Sequence, residues 1–326
     1  NLKLKNTFYY RDTKSDYDKN ASQEESVTAD NKMYALQTGI ERKTDNSLDN
    51  FVLHYHNYDR KYYEIGKKNK YYSESLVAKA ERDVILNNKL SYGFGSEYKY
   101  DWGNFDNNGS YKASTKGHSE NLAIFGNLGW NIFKNLNISL FGRNDNHKQT
   151  GSNNTYKINL QQNFINFNIG VSYMNGLRNP TLYEMFGTDN YGYSGNKDLK
   201  PEKSNTYEVY SNILINDNLN LTSRAFRANI KNNIEYISNK YQNDDDNIDL
   251  NQSGFNSQLN IKIKKTDLNL FTFFLSSKKE NNSDQLRRPE KNYGLNFSKK
   301  IDSSFLGILN FNVTYNHYGK HFDTHS

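Results

Sequence analysis

The chain has 326 residues, of which 35% are hydrophobic, and its mean hydropathy is -0.97. Ordinary soluble domains carry roughly 45–50% apolar residues, whereas 26 tyrosines and 19 phenylalanines argue against a disordered chain. The formal charge is +6, and the 42 basic and 36 acidic residues are dispersed, so the charge does not indicate a nucleic-acid partner. The absence of cysteine excludes disulfides and cysteine-bound zinc.

Apolar and polar residues alternate in segment after segment, which predicts β-strands with one apolar face. Leu136, Ile138 and Leu140 share one face of such a segment, and Phe167 and Ile169 share one face of another. About 15 segments of this kind are present, each near the roughly 9–11 residues that cross a bilayer at a tilt. No apolar run reaches the roughly 18 residues of a transmembrane helix.

Short and long connections alternate between the segments. Short turns are predicted at Asp45–Leu48, Asn87–Lys89, Phe133–Asn135, Asn163–Ile165, Asn216–Asn218, Lys265–Asp267 and Asp302–Ser304. Long polar connections are predicted at Arg11–Asp30, Arg60–Lys70, Gly103–Ser119, Asp145–Asn154, Gly176–Lys203, Ser238–Asn251 and Lys278–Glu290. Outer-membrane barrels have short turns on the periplasmic rim and long loops on the outer rim. The sequence therefore predicts an all-β protein, a transmembrane antiparallel β-barrel in the bacterial outer membrane.

The strand count predicts that the barrel is incomplete. The first strand, near Leu2–Tyr10, and the last, near Phe305–Tyr318, both run outward in this scheme. An odd number of strands does not close an ordinary bacterial barrel, whose count is even. We therefore expect residues 1–326 to form one partial barrel domain, truncated at both ends. A soluble β-sandwich or a propeller is the alternative, but there is no fixed repeat, blade motif or second apolar face.

The longest outer connection carries the most specific sequence. It reads Arg178, Asn179, then Pro-Thr-Leu-Tyr-Glu at 180–184, Gly-Asn-Lys-Asp-Leu-Lys-Pro-Glu-Lys-Ser at 195–204 and Tyr-Glu at 207–208. Together these segments resemble the barrel signature of TonB-dependent outer-membrane receptors. The stretches 225–234, 286–291 (Leu-Arg-Arg-Pro-Glu-Lys) and 318–323 resemble other parts of the same barrels. The order is most similar to vitamin B12 (cobalamin) transporters, with siderophore receptors next.

The resemblance implies a plug inside a 22-stranded barrel, of which this chain would hold about 15 strands and neither the plug nor the C-terminal strands. It also implies active uptake of a scarce nutrient, such as cobalamin or a ferric siderophore. The expected partners are a small-molecule or metal-chelate ligand, outer-membrane lipid, and the TonB complex of the inner membrane, which would act on an N-terminal region. A passive porin or an adhesin is the alternative function.

The motif residues are expected to shape the loop base rather than to touch substrate. Because proline fixes φ and lacks an N–H donor, Pro180 and Pro201 should end strand pairing. Buried carboxylates need partners, and the predicted pairs join Glu184, Glu202 and Glu208 to Arg178, Arg287 or Arg288. The residues given this mainly structural role are Arg178, Pro180, Thr181, Glu184, Asn196, Leu199, Pro201, Glu202, Ser204, Glu208, Arg287, Arg288 and Pro289.

Candidate ligand contacts are Asp189, Tyr191 and Tyr193, because tyrosine rings with polar neighbours suit recognition at a barrel mouth. No cofactor is expected, apart from calcium bound by an outer loop. Dense carboxylates suit calcium, and the weak candidates are Asp244, Asp245, Asp246 and Asp249.

His54 and His56 share one face of a strand and are the only paired metal-ligand candidates among the seven histidines, although a wall or girdle position is the preferred interpretation. The sequence shows no Ser-His-Asp order, no phosphate loop and no carboxylate pair placed for acid–base chemistry. The chain is therefore predicted not to be an enzyme.

Overall fold

The structure is a computed structural model that describes residues 1–20, 23–64, 67–109, 111–244, 249–279 and 288–320, with backbone alone at 17–20 and 23–26. These residues form 17 strands and one short helix. The elements are β1 (Leu2–Asn20), β2 (Gln23–Lys43), β3 (Ser47–Glu64), β4 (Lys67–Ile85), β5 (Leu90–Asn107), β6 (Ala113–Phe133), β7 (Leu136–His147), β8 (Gly151–Asn163), β9 (Phe167–Arg178), α1 (Leu182–Phe186), β10 (Glu202–Asn216), β11 (Leu219–Lys231), β12 (Ile234–Ile237), β13 (Lys240–Asn243), β14 (Leu250–Ile263), β15 (Thr266–Lys279), β16 (Lys291–Ser303) and β17 (Gly307–Tyr318).

Fifteen of the strands form one antiparallel sheet, in which each strand pairs with its neighbours in the chain. Strands β12 and β13 form a separate hairpin between β11 and β14. Among the described residues, β1 and β17 are the two edges of the large sheet. The predicted all-β fold and the predicted number of strands in the main sheet are confirmed. The described part of the chain contains no helix long and apolar enough to cross a bilayer.

One face of the sheet is apolar and open to its surroundings. Ile158 on β8 and Ile169 and Val171 on β9 are 43%, 44% and 46% exposed. A water-soluble protein would bury such a continuous surface, whereas a barrel wall turns it to lipid. Tyrosine rings border this band at the outer end, defined as the end opposite the short turns. Tyr173 lies 5.7 Å from Tyr156 and 4.8 Å from Tyr207, ring centroid to ring centroid, as in the interfacial girdle of a membrane barrel.

The other face carries ion pairs, which is typical of a wet lumen. Arg143 Nη2 lies 2.8 Å from Glu97 Oε1 and 2.8 Å from Asp145 Oδ1. Arg224 on β11 pairs with Glu208 on β10. This face is the inside of a curled sheet, because the loop after β9 reaches across to touch β5 and β6.

The predicted short turns are confirmed. The gaps between strands at this end are brief, such as 44–46 between β2 and β3 and 134–135 between β6 and β7. In the turn between β8 and β9 the rings of Phe164 and Phe167 stack at 4.2 Å.

The prediction of long loops at the opposite end is wrong for most connections. Much of Arg11–Asp30, Arg60–Lys70, Gly103–Ser119 and Asp145–Asn154 is strand, because β1 to β8 continue well beyond the apolar band. The expected strand length was set by the bilayer, but antiparallel backbone pairing needs no apolar side chains and continues into water. The connection Ser238–Asn251 likewise contains β13, and Lys278–Glu290 begins inside β15. Within the part of the chain that the structure describes, Gly176–Lys203 contains a long loop with its own fold.

The two sheet edges generate a prediction about the 326 residues expressed alone. Unpaired N–H and C=O groups in lipid cost several kcal/mol each in order of magnitude, and β1 and β17 both carry such groups. We expect this chain to aggregate on refolding into detergent micelles. Electrophoresis of unboiled and boiled samples is the measurement. A folded monomer with heat-dependent mobility and protease resistance would show that the edges do pair or are otherwise satisfied.

Candidate ligand-binding site at the outer end

The long connection between β9 and β10, residues 179–201, folds back over the inner face of the sheet and is called the mouth loop. Its ends are fixed by strand pairing, because Arg178 lies opposite Glu202 in the ladder. Pro180 and Pro201 stand just outside the two strands, as the sequence predicts. Neither residue can donate a backbone hydrogen bond, so the ladder stops there.

Arg178 holds the base of the mouth loop together. Its Nε and Nη2 donate to the two carboxylate oxygens of Glu202 at 2.6 and 2.9 Å, and Nη1 donates to Glu184 at 3.1 Å. Glu202 also accepts from the backbone N–H of Ile234 at 2.8 Å, which ties the β12–β13 hairpin to the same point. The pKa of the Arg178 guanidinium is raised, chiefly by its hydrogen bonds to Glu202. A forked pair to one carboxylate and a bond to a second make this a rigid junction.

Helix α1 begins in a capping box that explains the Thr-x-x-Glu part of the motif. Thr181 Oγ1 accepts from the Glu184 N–H at 3.2 Å, and Glu184 Oε2 accepts from the Thr181 N–H at 2.7 Å. Two of the helix's unpaired N–H donors are satisfied in this way. Because Glu184 also receives Arg178, one carboxylate joins the helix to the loop base.

The second half of the motif closes the mouth loop on itself. Gly195 N–H donates to the Gly187 carbonyl at 2.8 Å, and Asn196 N–H donates to the Glu184 carbonyl at 2.9 Å. Asn196 also donates from Nδ2 to the Tyr241 carbonyl on β13 at 3.1 Å. Leu199 is 5% exposed and packs inside the loop.

The remaining motif residues lie outside the mouth loop. Ser204 stands opposite Gly176 in the β9–β10 ladder. Glu208 pairs with Arg224 on the neighbouring strand β11, so its predicted pairing with Arg178 or Arg288 is wrong. The third predicted partner, Arg287, cannot be placed because it lies outside the described residues. Arg288 is exposed and Pro289 half-buried just before β16.

A tyrosine cluster forms the core between the mouth loop and the β12–β13 hairpin. Tyr193 is 2% exposed and its ring lies 5.0 Å from Tyr183 and 5.5 Å from Tyr241. Its hydroxyl donates to the Tyr183 carbonyl at 2.6 Å. Burial raises the pKa of Tyr183 and of Tyr193, so both rings stay neutral. The prediction that Tyr193 contacts ligand does not fit this burial, because its ring is enclosed by the loop itself.

The far side of the mouth loop rests on β5 and β6 through aromatic and backbone contacts. The Phe186 carbonyl accepts from Thr115 Oγ1, and the Asp189 carbonyl accepts from Asn107 Nδ2. A methyl group on Gly117 would meet the Phe186 ring, so this glycine makes room for it. The mouth loop is therefore fixed at both ends of its span, at its own base and on the opposite wall.

Asp189 and Tyr191, the other two candidate ligand contacts, lie at the tip of the mouth loop. Asp189 Oδ1 accepts from the N–H groups of Tyr191 and Tyr193 at 2.8 and 3.0 Å, which orders the turn. Tyr191 is 48% exposed, and its hydroxyl donates to Glu64 at 3.0 Å. Lys67 lies over its ring, 5.5 Å from the centroid.

Between the tip of the mouth loop and the wall of β3, β4 and β5 lies a cavity of about 490 Å³, called the mouth cavity. This volume is in the range of small-molecule sites. Seven of its eleven lining residues are aromatic, namely Tyr58, Tyr62, Tyr71, Tyr72, Phe105, Tyr183 and Tyr191. The polar lining residues are Arg60, Asn69, Ser73 and Asp189. The structure thus brings Asp189 and Tyr191 to the same cavity and adds a wall of residues that the sequence did not single out.

Neither histidine nor carboxylate positions form a metal centre in the described part of the chain. His54 Nε2 and His56 Nδ1 lie 3.2 Å apart, within hydrogen-bonding distance of each other. Asp244 Oδ1 pairs with the Lys279 ammonium at 2.8 Å, and Asp249 lies 3.7 Å from Lys231. Asp245 and Asp246 lie outside the described residues, and loop calcium stays a prediction.

A curled antiparallel sheet with an apolar outer face, an ion-paired inner face and a folded loop across its outer end has the features of a transmembrane β-barrel wall. The chain belongs to the family described as TonB dependent receptor-like, beta-barrel, whose profile matches residues 1–325. This confirms the family that the motifs at 178–208 predict.

Solved structures of similar fold are siderophore receptors. The ferric yersiniabactin uptake receptor FyuA from Yersinia pestis has a TM-score of 0.76 at 13% identity, covering 99% of this chain and 57% of that one. The alcaligin receptor FauA from Bordetella pertussis has 0.73 at 9%, covering 98% and 58%. The siderophore receptor PirA from Acinetobacter baumannii has 0.70 at 14%, covering 98% and 59%. At these identities the likeness shows the fold, and the narrower resemblance to cobalamin transporters gains no specific support.

The chain spans less than two thirds of each of these receptors, as the coverages of 57%, 58% and 59% show. What the complete protein carries and binds is therefore a matter for proposal.

The Arg178 junction generates a prediction for the complete receptor. Arg178→Ala leaves two carboxylates that are only 12% and 17% exposed without their cation, which costs about 1–3 kcal/mol. We expect the mouth loop to open and trypsin added to intact cells to cleave at its lysines. Arg178→Lys, which keeps the charge but loses the fork, should be intermediate. Asp198→Asn on the exposed part of the same loop is the matched control, and equal cleavage in all three variants would contradict the role of Arg178.

The close contact between Gly195 and helix α1 generates a further prediction for the mouth loop. A Cβ there would lie 2.5 Å from the Met185 carbonyl group and the Phe186 nitrogen, whereas a Cβ on Gly142 of β7 would meet nothing within 4 Å. Gly195→Ala should therefore separate the two halves of the mouth loop, and Gly142→Ala should not. Hydrogen-exchange mass spectrometry of the peptide covering residues 182–196 measures this. Unchanged exchange in Gly195→Ala would show that the contact relaxes without cost.

Proposed function

We propose that this chain is the barrel part of an outer-membrane receptor that takes up a ferric siderophore. The observation that carries the proposal is the mouth cavity, which takes eight of its eleven lining residues from the sheet and three from the folded mouth loop. A site at the outer end of a barrel suits a ligand that arrives from outside and must then pass inward. The siderophore receptors of similar fold support the same assignment.

The remaining parts of the proposal follow from the family. Uptake is active and is driven by the TonB complex of the inner membrane, which acts on a region outside the barrel. The barrel stands in the outer membrane of a Gram-negative bacterium, with lipid against its apolar face. The protein acts as a receptor and transporter and not as an enzyme or a nucleic-acid binder.

Cobalamin, the other nutrient suggested by the sequence, fits the mouth cavity less well. A corrin with its nucleotide tail is larger than a compact ferric chelate, and the cavity holds about 490 Å³. A passive porin or an adhesin is the competing class. The mouth cavity favours a receptor over both, because neither of them requires a ligand cavity or energy coupling.

Radiolabelled uptake tests the proposal. The complete receptor is expressed in cells that lack other iron receptors, with and without functional TonB. The probes are iron-55 bound to a catecholate, a phenolate or a hydroxamate chelator, and labelled cyanocobalamin. We expect saturable, TonB-dependent accumulation of at least one iron chelate. Accumulation of cyanocobalamin alone would identify cobalamin, and not a ferric siderophore, as the ligand. Equal uptake with and without TonB would mean that the protein is a passive barrel.

A further inference from the structure

The tyrosines around the mouth cavity present ring surfaces rather than hydroxyl groups. Tyr58 donates its hydroxyl to Asn31 at 2.8 Å, Tyr191 donates to Glu64 at 3.0 Å, and Tyr72 donates to Glu74. A hydroxyl that already donates within the protein has no hydrogen left to donate to a ligand. The aromatic lining therefore offers apolar faces and edges to whatever enters.

The rings at the inner end of the cavity are arranged to receive a flat group. Tyr71 and Tyr183 meet edge to face at 5.8 Å and 86°, and Phe105 meets Tyr183 at 5.6 Å and 69°. All three residues line the cavity, so an aromatic ring of a ligand can pack against them as aromatic side chains pack against one another.

Two buried polar atoms of the cavity lining have no hydrogen-bond partner among the described residues. They are Arg60 Nε, a donor, and Asn69 Oδ1, an acceptor. Asn69 is 4% exposed. Arg60 and Asn69 both line the cavity, but these two atoms are themselves buried, so a ligand meets other atoms of the two side chains. The Arg60 guanidinium carries further N–H groups, and they are the charged donors that this lining offers.

The charge of the cavity limits the charge of that ligand. Arg60 is the one cation and Asp189 the one carboxylate among its lining residues. The Asp189 carboxylate accepts two backbone N–H groups of the mouth loop, so it stays in place whether or not ligand is bound. A highly charged anion would meet this carboxylate with only one guanidinium to balance it.

We propose that the mouth cavity selects a ferric chelate whose chelator carries an aromatic ring and has low net charge. Its ring packs against Tyr71, Tyr183 and Phe105, and an anionic or carbonyl oxygen accepts from the Arg60 guanidinium. The inference rests on the proposed function, because it specifies the chelate that the receptor takes up. It favours phenolate chelators, whose ferric complexes can combine such a ring with low charge. It disfavours tris-catecholates, whose ferric complexes are trianions, and aliphatic hydroxamates and carboxylates, which carry no ring.

The test is binding to the purified complete receptor, followed by quenching of tryptophan fluorescence. The probes are the ferric complexes of a phenolate, a catecholate and an aliphatic trihydroxamate chelator, together with cyanocobalamin. We expect the phenolate chelate to bind more tightly than both the tris-catecholate and the trihydroxamate. Tighter binding of the catecholate, of the trihydroxamate or of cyanocobalamin would overturn the inference and leave receptor function in place.

Two variants test whether the ligand binds in the mouth cavity. Arg60→Gln should weaken the aryl chelate about tenfold or more, because a charge-assisted hydrogen bond is lost. Asn69→Leu replaces a polar lining side chain by an apolar one and should also weaken it. Arg227→Gln removes an exposed arginine far from the cavity and is the matched control for the first. Heat-dependent mobility of each purified variant shows that it is folded.

The outcomes separate the inference from the proposed function. Weaker aryl binding in both variants, with the Arg227→Gln receptor unchanged, supports the site. Unchanged binding in folded Arg60→Gln and Asn69→Leu receptors would overturn it even if the aryl chelate is the ligand. A receptor that binds none of the probes and supports no TonB-dependent iron uptake would overturn both the inference and the function beneath it.

Discussion

The whole structure depends on backbone pairing between neighbours in the chain. Each strand of the large sheet satisfies the N–H and C=O groups of the strand before and after it, and this is what permits a chain to run through lipid without helices. Because the ladder supplies the backbone hydrogen bonds, the side chains on one face can be apolar and meet lipid while those on the other face are polar and meet water. That freedom explains how a chain that is only 35% hydrophobic can present a continuous apolar face.

The mouth loop has no such ladder, and it folds by a different means. Its order comes from a few charged and polar junctions, of which Arg178 with Glu202 and Glu184 is the central one. The loop then uses tyrosine rings where a soluble domain would use aliphatic residues. A short helix, a two-stranded hairpin and the sheet wall are thereby combined into one cover, although none of these pieces is large enough to be stable alone.

Sequence reasoning reached the fold because the period of two along each strand is set by local geometry. Leu136 to Leu140 alternate whatever surrounds them, and Pro180 and Pro201 end pairing by their own covalent structure. Sequence reasoning failed where contacts between strands determine the structure. The strands extend beyond the bilayer because of cross-strand pairing, and Glu208 pairs with Arg224 because β11 lies beside β10. The cavity residue Arg60 was missed for the same reason, since only curvature of the sheet brings it near Asp189.

The mouth cavity exists only when the mouth loop is folded, because one of its walls is the sheet and the other is the loop. Arg60, Asn69 and Tyr71 stand on strands that are held by the ladder, whereas Tyr183 and Asp189 stand on the loop. A ligand that bridges the two walls therefore binds only the closed loop, and its apparent affinity is reduced by the fraction of receptors in which the loop is open. Under the proposed function, the motif residues, although they lie outside the cavity, would thereby set how much of the receptor is ready to bind. Their structural role and the proposed recognition of ligand would be linked through one folding equilibrium.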